Sequence, residues 1–405
     1  MLPYNFLGFK LKSPIWVASQ CPMNPHTQEK HVELFENYVK NGAALVKTQM
    51  ISNIKQRNGN PFHRVRMAYF ENEGKPIGFC NLGRIEESMA YLDEGLSLIH
   101  KLKSLQVPVT ANIAVHSRQF YNAKIWATLA KRIVAGGADI IEINLSCPNL
   151  RANLKIPGQD YGLTVDIVRE IKRTVDHIPI IVKFTPDMNL SRLDRFTRGV
   201  INAGADGITV VNSPAAIAPP DIYHQGRPKF QGVSGYTYTA VHGPINIYLA
   251  YRFVTRIYQI MKEMKKKIEL TATGGINKPE QIVELMMLGA STVELSSAIL
   301  LQGYGFIEKC NNFLDKFMEK QGYTSYASMR GLSHKYIIGH LKVRYREVKA
   351  RINYRKCTNC GACTRSLCLA WKKVGDKVLV DYEKCSGCGF CKLVCPVGAR
   401  IVEEV

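Results

Sequence analysis

Acidic residues are scarce in this sequence: 33 Asp and Glu stand against 54 Lys and Arg, a formal net charge of +21 over 405 residues. That balance excludes an acidic, solvating chain and calls for acidic partners, nucleic acid being the extreme case. Long apolar runs are missing as well. No stretch approaches the roughly 18 consecutive apolar residues of a membrane helix, and the opening MLPYNFLGFKLKSP has no apolar core followed by a cleavage site. The expectation is a soluble, cytoplasmic protein with no membrane span. Also absent is a G-x-G-x-x-G motif after a strand, so the chain offers no dinucleotide-binding domain of its own. Cysteine is plentiful by contrast, and eight of the 12 fall between Cys357 and Cys395. In a cytoplasmic chain that crowding argues for metal rather than disulfides.

Short apolar, β-branched runs recur with helical stretches between them: 14–19 (PIWVAS), 44–50 (ALVKTQM), 108–115 (PVTANIAV) and 139–146 (DIIEINLS), then 178–185 (IPIIVKFT), 207–213 (GITVVNS), 269–274 (ELTATG) and 292–298 (TVELSSA). Near-continuous hydrophobic strands alternating with helices are what a parallel sheet covered on its outer face requires. A glycine stands before several of them, at Gly42, Gly137, Gly204 and Gly289, where a left-handed residue ends a helix and turns the chain into a strand. Eight such units predict an α/β fold, a (β/α)8 TIM barrel. The domains expected are a barrel over 1–325, a basic connector over 326–350 and a small α+β ferredoxin-like domain over 351–405. The connector holds Lys335, Lys342, Arg344, Arg346 and Lys349 against Glu347, which reads as a solvated link or an anion-binding arm.

Chemistry in such barrels sits at the carboxyl ends of the strands. The polar residues there are Lys47, Thr48, Asn112, Asn144, Ser146, Lys183, Asn212, Ser213, Gly274, Gly275, Ser296 and Ser297. A lysine pointing into a barrel mouth needs an anionic or electron-rich partner. A flavin meets that need at Lys47 and Lys183, and paired glycines and serines after strands seven and eight suit a phosphate held by backbone amides.

In the tail, Cys357, Cys360 and Cys363 form C-x2-C-x2-C, and Cys385, Cys388 and Cys391 repeat it before Cys395-Pro396. Three thiolates on one loop wrap a cubane and the fourth arrives from the other half. Cluster one takes Cys357, Cys360, Cys363 and Cys395; cluster two takes Cys385, Cys388, Cys391 and Cys368. Cys368 departs from the usual spacing by one residue. Zinc is the alternative, which these triplets fit poorly. Cys21, Cys80 and Cys310 stand apart and read as inert thiols.

NLSCPN at 144–149, IVKFTP around Lys183, VVNS ending at Ser213, GVSG at 232–235 and TGGI at 273–276 together resemble the dihydroorotate dehydrogenase-like FMN barrels. With the ferredoxin tail, nearly the whole chain resembles the FMN and iron–sulfur portion of dihydropyrimidine dehydrogenases. The resemblance implies FMN and two 4Fe-4S clusters, with Ser19, Lys47, Thr48, Asn112, Lys183, Ser234, Gly235, Gly274, Gly275, Ser296 and Ser297 at the flavin. It implies Asn81, Gly83, Ile85, Asn144, Ser146, Asn212 and Ser213 at the substrate, and Cys147 as general acid/base. Hydride would pass between the flavin and C6 of a pyrimidine while the thiol exchanges a proton with C5. Two departures bear on the substrate: position 83 is Gly where an acidic side chain is expected, and the loop 150–157 is basic, with Arg151 and Lys155 able to meet a carboxylate.

The partners implied are a small pyrimidine, and either an FAD- and NAD(P)H-binding subunit or a ferredoxin, in a hetero-oligomer or homodimer. The sequence does not encode the direction of the reaction. Three other readings compete: a dihydroorotate-type enzyme, a tRNA dihydrouridine synthase-like enzyme, and a non-catalytic electron-transfer subunit. The second suits the charge but not the ferredoxin tail; the third leaves Cys147 without a task.

Overall fold

The computed structural model describes residues 2–19, 28–53, 66–72, 75–82, 90–115, 121–147, 156–230, 232–235 and 237–405. The chain divides into two compact units, Met1–Tyr336 and Ile337–Val405.

The eight expected strands all form: Ile15–Val17, Val46–Lys47, Val109–Ala114, Ile140–Asn144, Ile180–Lys183, Gly207–Val210, Glu269–Thr273 and Thr292–Leu295. They are strands one to eight below. Each pairs in parallel with its neighbour from strand two round to strand one, and the seam between strands one and two is bridged by Ala44 N donating to Ile15 O at 3.0 Å. Their residues are buried almost without exception, because one face packs inside the barrel and the other under helices.

The helices are amphipathic and capped where the sequence allows. Asn122, Asp160 and Asn189 accept hydrogen bonds from Lys124 N, Leu163 N and Arg192 N at the starts of Ala123–Ala135, Tyr161–Thr174 and Leu190–Asn202, each satisfying a donor the first helical turn leaves open. The glycines of the repeat take the conformation expected of them, with φ of +102° at Gly42, +99° at Gly137, +102° at Gly204 and +120° at Gly289.

An unexpected four-stranded antiparallel sheet forms in the excursions after strands two and six. Arg66–Asn72 pairs with Lys75–Leu82, which pairs with Thr239–His242, which pairs with Ala215–Ala216. Both excursions leave from carboxyl ends of barrel strands, so the sheet stands on the face where chemistry is expected. It sets Asn81 opposite Ala240 and Phe79 opposite His242.

In the second unit, Val348–Ile352 pairs with Arg400–Glu404 and Trp371–Val374 with Lys377–Val380, both antiparallel. Ala350, Cys363, Ala370, Trp371, Val378, Cys385 and Cys391 form its small core. The expected connector is shared between the units. Arg330 donates from Nε to Gly289 O at 2.8 Å within the first, while its far end becomes the strand Val348–Ile352 of the second.

Candidate active site

Four charged side chains fill the barrel interior: Lys47 from strand two, Glu142 from strand four, Lys183 from strand five and Glu294 from strand eight, with exposures of 2%, 0%, 4% and 0%. Charges so buried persist only when paired. Lys47 Nζ forms ion pairs with both Glu142 and Glu294. Lys183 Nζ stands farther off, 3.6 Å from Glu142 Oε1 and 4.0 Å from Glu294 Oε2. Asn112 Nδ2 donates to Glu142 Oε1 at 2.6 Å, Thr209 Oγ1 to Glu142 Oε2 at 2.8 Å and Trp16 Nε1 to Glu294 Oε1 at 3.2 Å. Burial alone would raise the Glu142 carboxyl, but Lys183 and Lys47 outweigh it and pull it down to about 2. Burial likewise disfavours the charge on Lys47, and the two carboxylates reverse that and hold its pKa up. Glu142 and Glu294 were missed in the sequence, although two lysines on apolar strands demand counter-ions and these acids stand mid-strand among apolar neighbours.

Nearer the mouth the expected polar residues join into one network. Asn144 Nδ2 donates to Asn112 Oδ1 at 3.2 Å, and Asn144 Oδ1 accepts from Ser146 N at 3.2 Å and Ser146 Oγ at 3.0 Å. Asn212 Nδ2 donates to Ser146 Oγ at 2.9 Å, and Asn212 Oδ1 accepts from Ser213 N at 2.8 Å. Thr48 Oγ1 accepts from Asn112 N at 3.2 Å. Cys147 follows Ser146 directly and is half-buried. Asn81 reaches this face on the antiparallel sheet, and its Oδ1 is closed from solvent with no hydrogen-bond partner among the described residues.

One residue here had not been expected. His242 places Nδ1 3.0 Å from Ser213 Oγ and stacks on Phe79 at 4.8 Å between centroids, and burial pushes its pKa down to about 4. A histidine beside a glycine in HGP gives no sequence signal of its own. Ser234 and Gly235 lie exposed in the loop preceding Thr239–His242; the segment meeting Ser213 is the one ending at His242. Ser19 is half-buried after strand one, and Ser296 leads into a short helix that opens with buried Ser297. Gly83, Ile85, Arg151, Lys155 and Cys21 fall outside the described residues.

Gly274 and Gly275 end strand seven with φ of +103° and +80°. A Cβ on Gly275 would lie 2.1 Å from Ile247 N and 2.7 Å from Asn246 C, at the start of the helix Ile247–Glu263. Only glycine lets these backbones approach.

In the second unit the thiols fall into two groups. The Cys391 thiol is raised first by burial and then by Cys368, Cys385 and Cys388 around it, so Cys368 lies near the second triplet. Arg400 donates from Nη2 to Cys363 Sγ at 2.8 Å and from Nη1 to Cys357 Sγ at 3.7 Å. Ala399 N donates to Cys395 Sγ and Ala350 N to Cys385 Sγ, both at 3.2 Å. Among the described residues no three His, Cys, Asp or Glu side chains are gathered as a single metal ion requires; what holds these thiols is loop backbone and Arg400.

Residues 1–318 match the dihydroorotate dehydrogenase family. The chain belongs to that family. Residues 378–401 match the 4Fe-4S binding domain. The NAD-dependent dihydropyrimidine dehydrogenase subunit PreA of Escherichia coli is 30% identical over 71% of this chain and 68% of its own length. A dihydroorotate dehydrogenase B (NAD(+)) catalytic subunit of Thermoplasma volcanium is 29% identical over 81% of this chain and 97% of its own. The chloroplastic dihydropyrimidine dehydrogenase (NADP(+)) of Arabidopsis thaliana is 26% identical over 87% and 82%. As a member of the dihydroorotate dehydrogenase family the chain is an FMN oxidoreductase, and its cysteine-rich end fits 4Fe-4S clusters.

The residues present suit both groups. Gly274 and Gly275 carry no side chain that would cover their backbone amides, as a phosphate held there would need, and Lys183, with no carboxylate oxygen closer than 3.6 Å among the described residues, would serve an electron-rich ring. Four thiols that repel one another as thiolates become stable when a cationic iron core sits among them. Cys80 and Cys310 are buried, and burial raises both thiols, Cys310 to about 12, as inert cysteines require. Among the described residues no helix is long and apolar enough to cross a membrane.

Proposed function

We propose that this enzyme interconverts a pyrimidine, uracil or thymine, with its 5,6-dihydro form, and that Cys147 is the general acid/base. The observation carrying this reading is the network Asn112–Asn144–Ser146–Asn212–Ser213 with Cys147 at its edge. Asn112, Asn144 and Asn212 each have both the amide nitrogen and the amide oxygen engaged by a neighbour, so the group keeps its geometry before a ligand arrives. Asn81 Oδ1, an acceptor with no partner among the described residues, suits a ring N–H.

FMN, when bound, supplies or accepts the hydride equivalent at C6. Cys147 gives a proton to C5 in reduction and takes it back in oxidation, so the C5=C6 bond gains H⁻ and H⁺ together. Lys47, Thr48, Asn112, Lys183, Gly274, Gly275, Ser296 and Ser297 would hold the flavin. Cys357, Cys360, Cys363 and Cys395 would hold one 4Fe-4S cluster and Cys385, Cys388, Cys391 and Cys368 a second, and the two would supply one-electron transfer from an NAD(P)H-oxidising partner subunit. The dihydropyrimidine dehydrogenase relatives, one of them named as a subunit of an NAD-dependent enzyme, support that pairing.

The test is anaerobic stopped-flow mixing of the reduced protein with uracil, thymine and orotate, following flavin reoxidation. Fast reoxidation by uracil or thymine is the expected result. Reaction with orotate alone would transfer the chain to the dihydroorotate-oxidising branch of the family.

A further inference from the structure

Two lysines are enough to face an electron-rich ring, yet the barrel interior adds two carboxylates that cancel them. The four groups are unequally engaged. Glu142 is saturated, with Asn112 on Oε1 and Lys47 and Thr209 on Oε2. Glu294 uses only Oε1, for Lys47 and Trp16, while Oε2 is closed from solvent, has no hydrogen-bond partner among the described residues and stands 4.0 Å from Lys183 Nζ. Lys183 therefore has two counter-ions, Glu142 at 3.6 Å and Glu294 at 4.0 Å, and only the Glu294 oxygen has no hydrogen-bond partner of its own among the described residues.

We propose that Glu294 is the positioning residue that sets the reduction potential of the bound FMN, by offsetting the charge that Lys183 presents to the reduced ring. The proposal rests on the reading above that Lys183 faces the flavin. A reduced flavin carries negative charge, so a cation beside it in a low-dielectric interior favours reduction and a carboxylate behind that cation opposes it. The pair then holds the potential below the value Lys183 alone would give. That suits a flavin that must pass electrons onward to a substrate double bond.

The experiment is an equilibrium redox titration of FMN in the full-length holoprotein against reference dyes, without any pyrimidine, for wild type, Glu294→Gln, Lys183→Met and the double variant. Glu294→Gln should raise the potential, with reduced flavin favoured at least tenfold more at a fixed ambient potential, about 30 mV for a two-electron couple. Lys183→Met should lower it, and the double variant should return toward wild type. Should Glu294→Gln fail to retain flavin, Glu294→Asp keeps the carboxylate and should keep the wild-type potential, and the fall in Lys183→Met remains decisive. A potential unmoved in Glu294→Gln while thermal stability drops, or unmoved in Lys183→Met, would overturn the proposal, since a purely structural ion pair gives that pattern. Because no substrate enters the measurement, failure to turn over uracil would count against the pyrimidine reading and not against this one.

Discussion

Glu142 shows what a single buried side chain contributes here. Its carboxyl is pulled from an ordinary 4.5 to about 2, burial opposing and Lys183 and Lys47 prevailing. Between those values the unfolded chain binds a proton that the folded chain refuses, so the stabilisation is present above pH 4.5 and is lost as pH falls toward 2. Thermal unfolding of the apoprotein across that window should show a falling midpoint, with a shallower slope in Glu142→Gln; parallel curves would refute the assignment. Cys147 makes the complementary case, a side chain whose worth is kinetic. Cys147→Ala should keep its flavin spectrum and lose turnover by about 10²–10⁴, the range for removal of a positioned proton donor. Steady-state kinetics beside an absorbance scan decide it, and turnover near wild type would leave the barrel mouth without its acid.

At the scale of elements, Gly275 sets the end of strand seven against the start of the helix Ile247–Glu263. Its φ of +80° and the 2.1 Å from an added Cβ to Ile247 N mean that Gly275→Ala must displace the start of the helix Ile247–Glu263. The change should cost on the order of 3 kcal/mol and weaken FMN retention, read by melting and by flavin release on gel filtration; a wild-type melt would show that the helix can yield. The barrel itself was legible because each strand is a nearly unbroken apolar run and several of the helices end in a glycine at positive φ, at Gly42, Gly137, Gly204 and Gly289. The mouth was legible because polar residues such as Asn144 and Asn212 end those runs. The antiparallel sheet was not, since strands as short as Ala215–Ala216 carry no periodicity. Glu142 and Glu294 were passed over because a charge inside an apolar strand reads as an interruption until its partner is seen. His242 owes its place to strand pairing with Lys75–Leu82, which no local pattern announces.

For the whole molecule the question is how electrons reach a flavin in a chain that has no nucleotide-binding motif. The tail divides the work: all eight cysteines of the two proposed clusters lie within residues 337–405, and Cys368 sits near Cys391 despite its irregular spacing. A relay of this kind is separable from the chemistry it feeds. In the full-length Cys388→Ala variant the second cluster loses a ligand, and turnover driven by NAD(P)H through a partner should collapse. The half-reaction of chemically reduced flavin with pyrimidine should proceed at the wild-type rate. Loss of both would mean that the tail holds the barrel together, and loss of neither would mean that electrons enter elsewhere. The net charge of +21 adds a second handle on the same step. An acidic partner steered by that field should deliver electrons more slowly as salt rises beyond about 0.1 M, where screening reaches about 10 Å, while the half-reaction with a neutral pyrimidine stays flat. Equal salt sensitivity in both assays would place the limiting step at the barrel mouth and remove charge from the account of partner recognition.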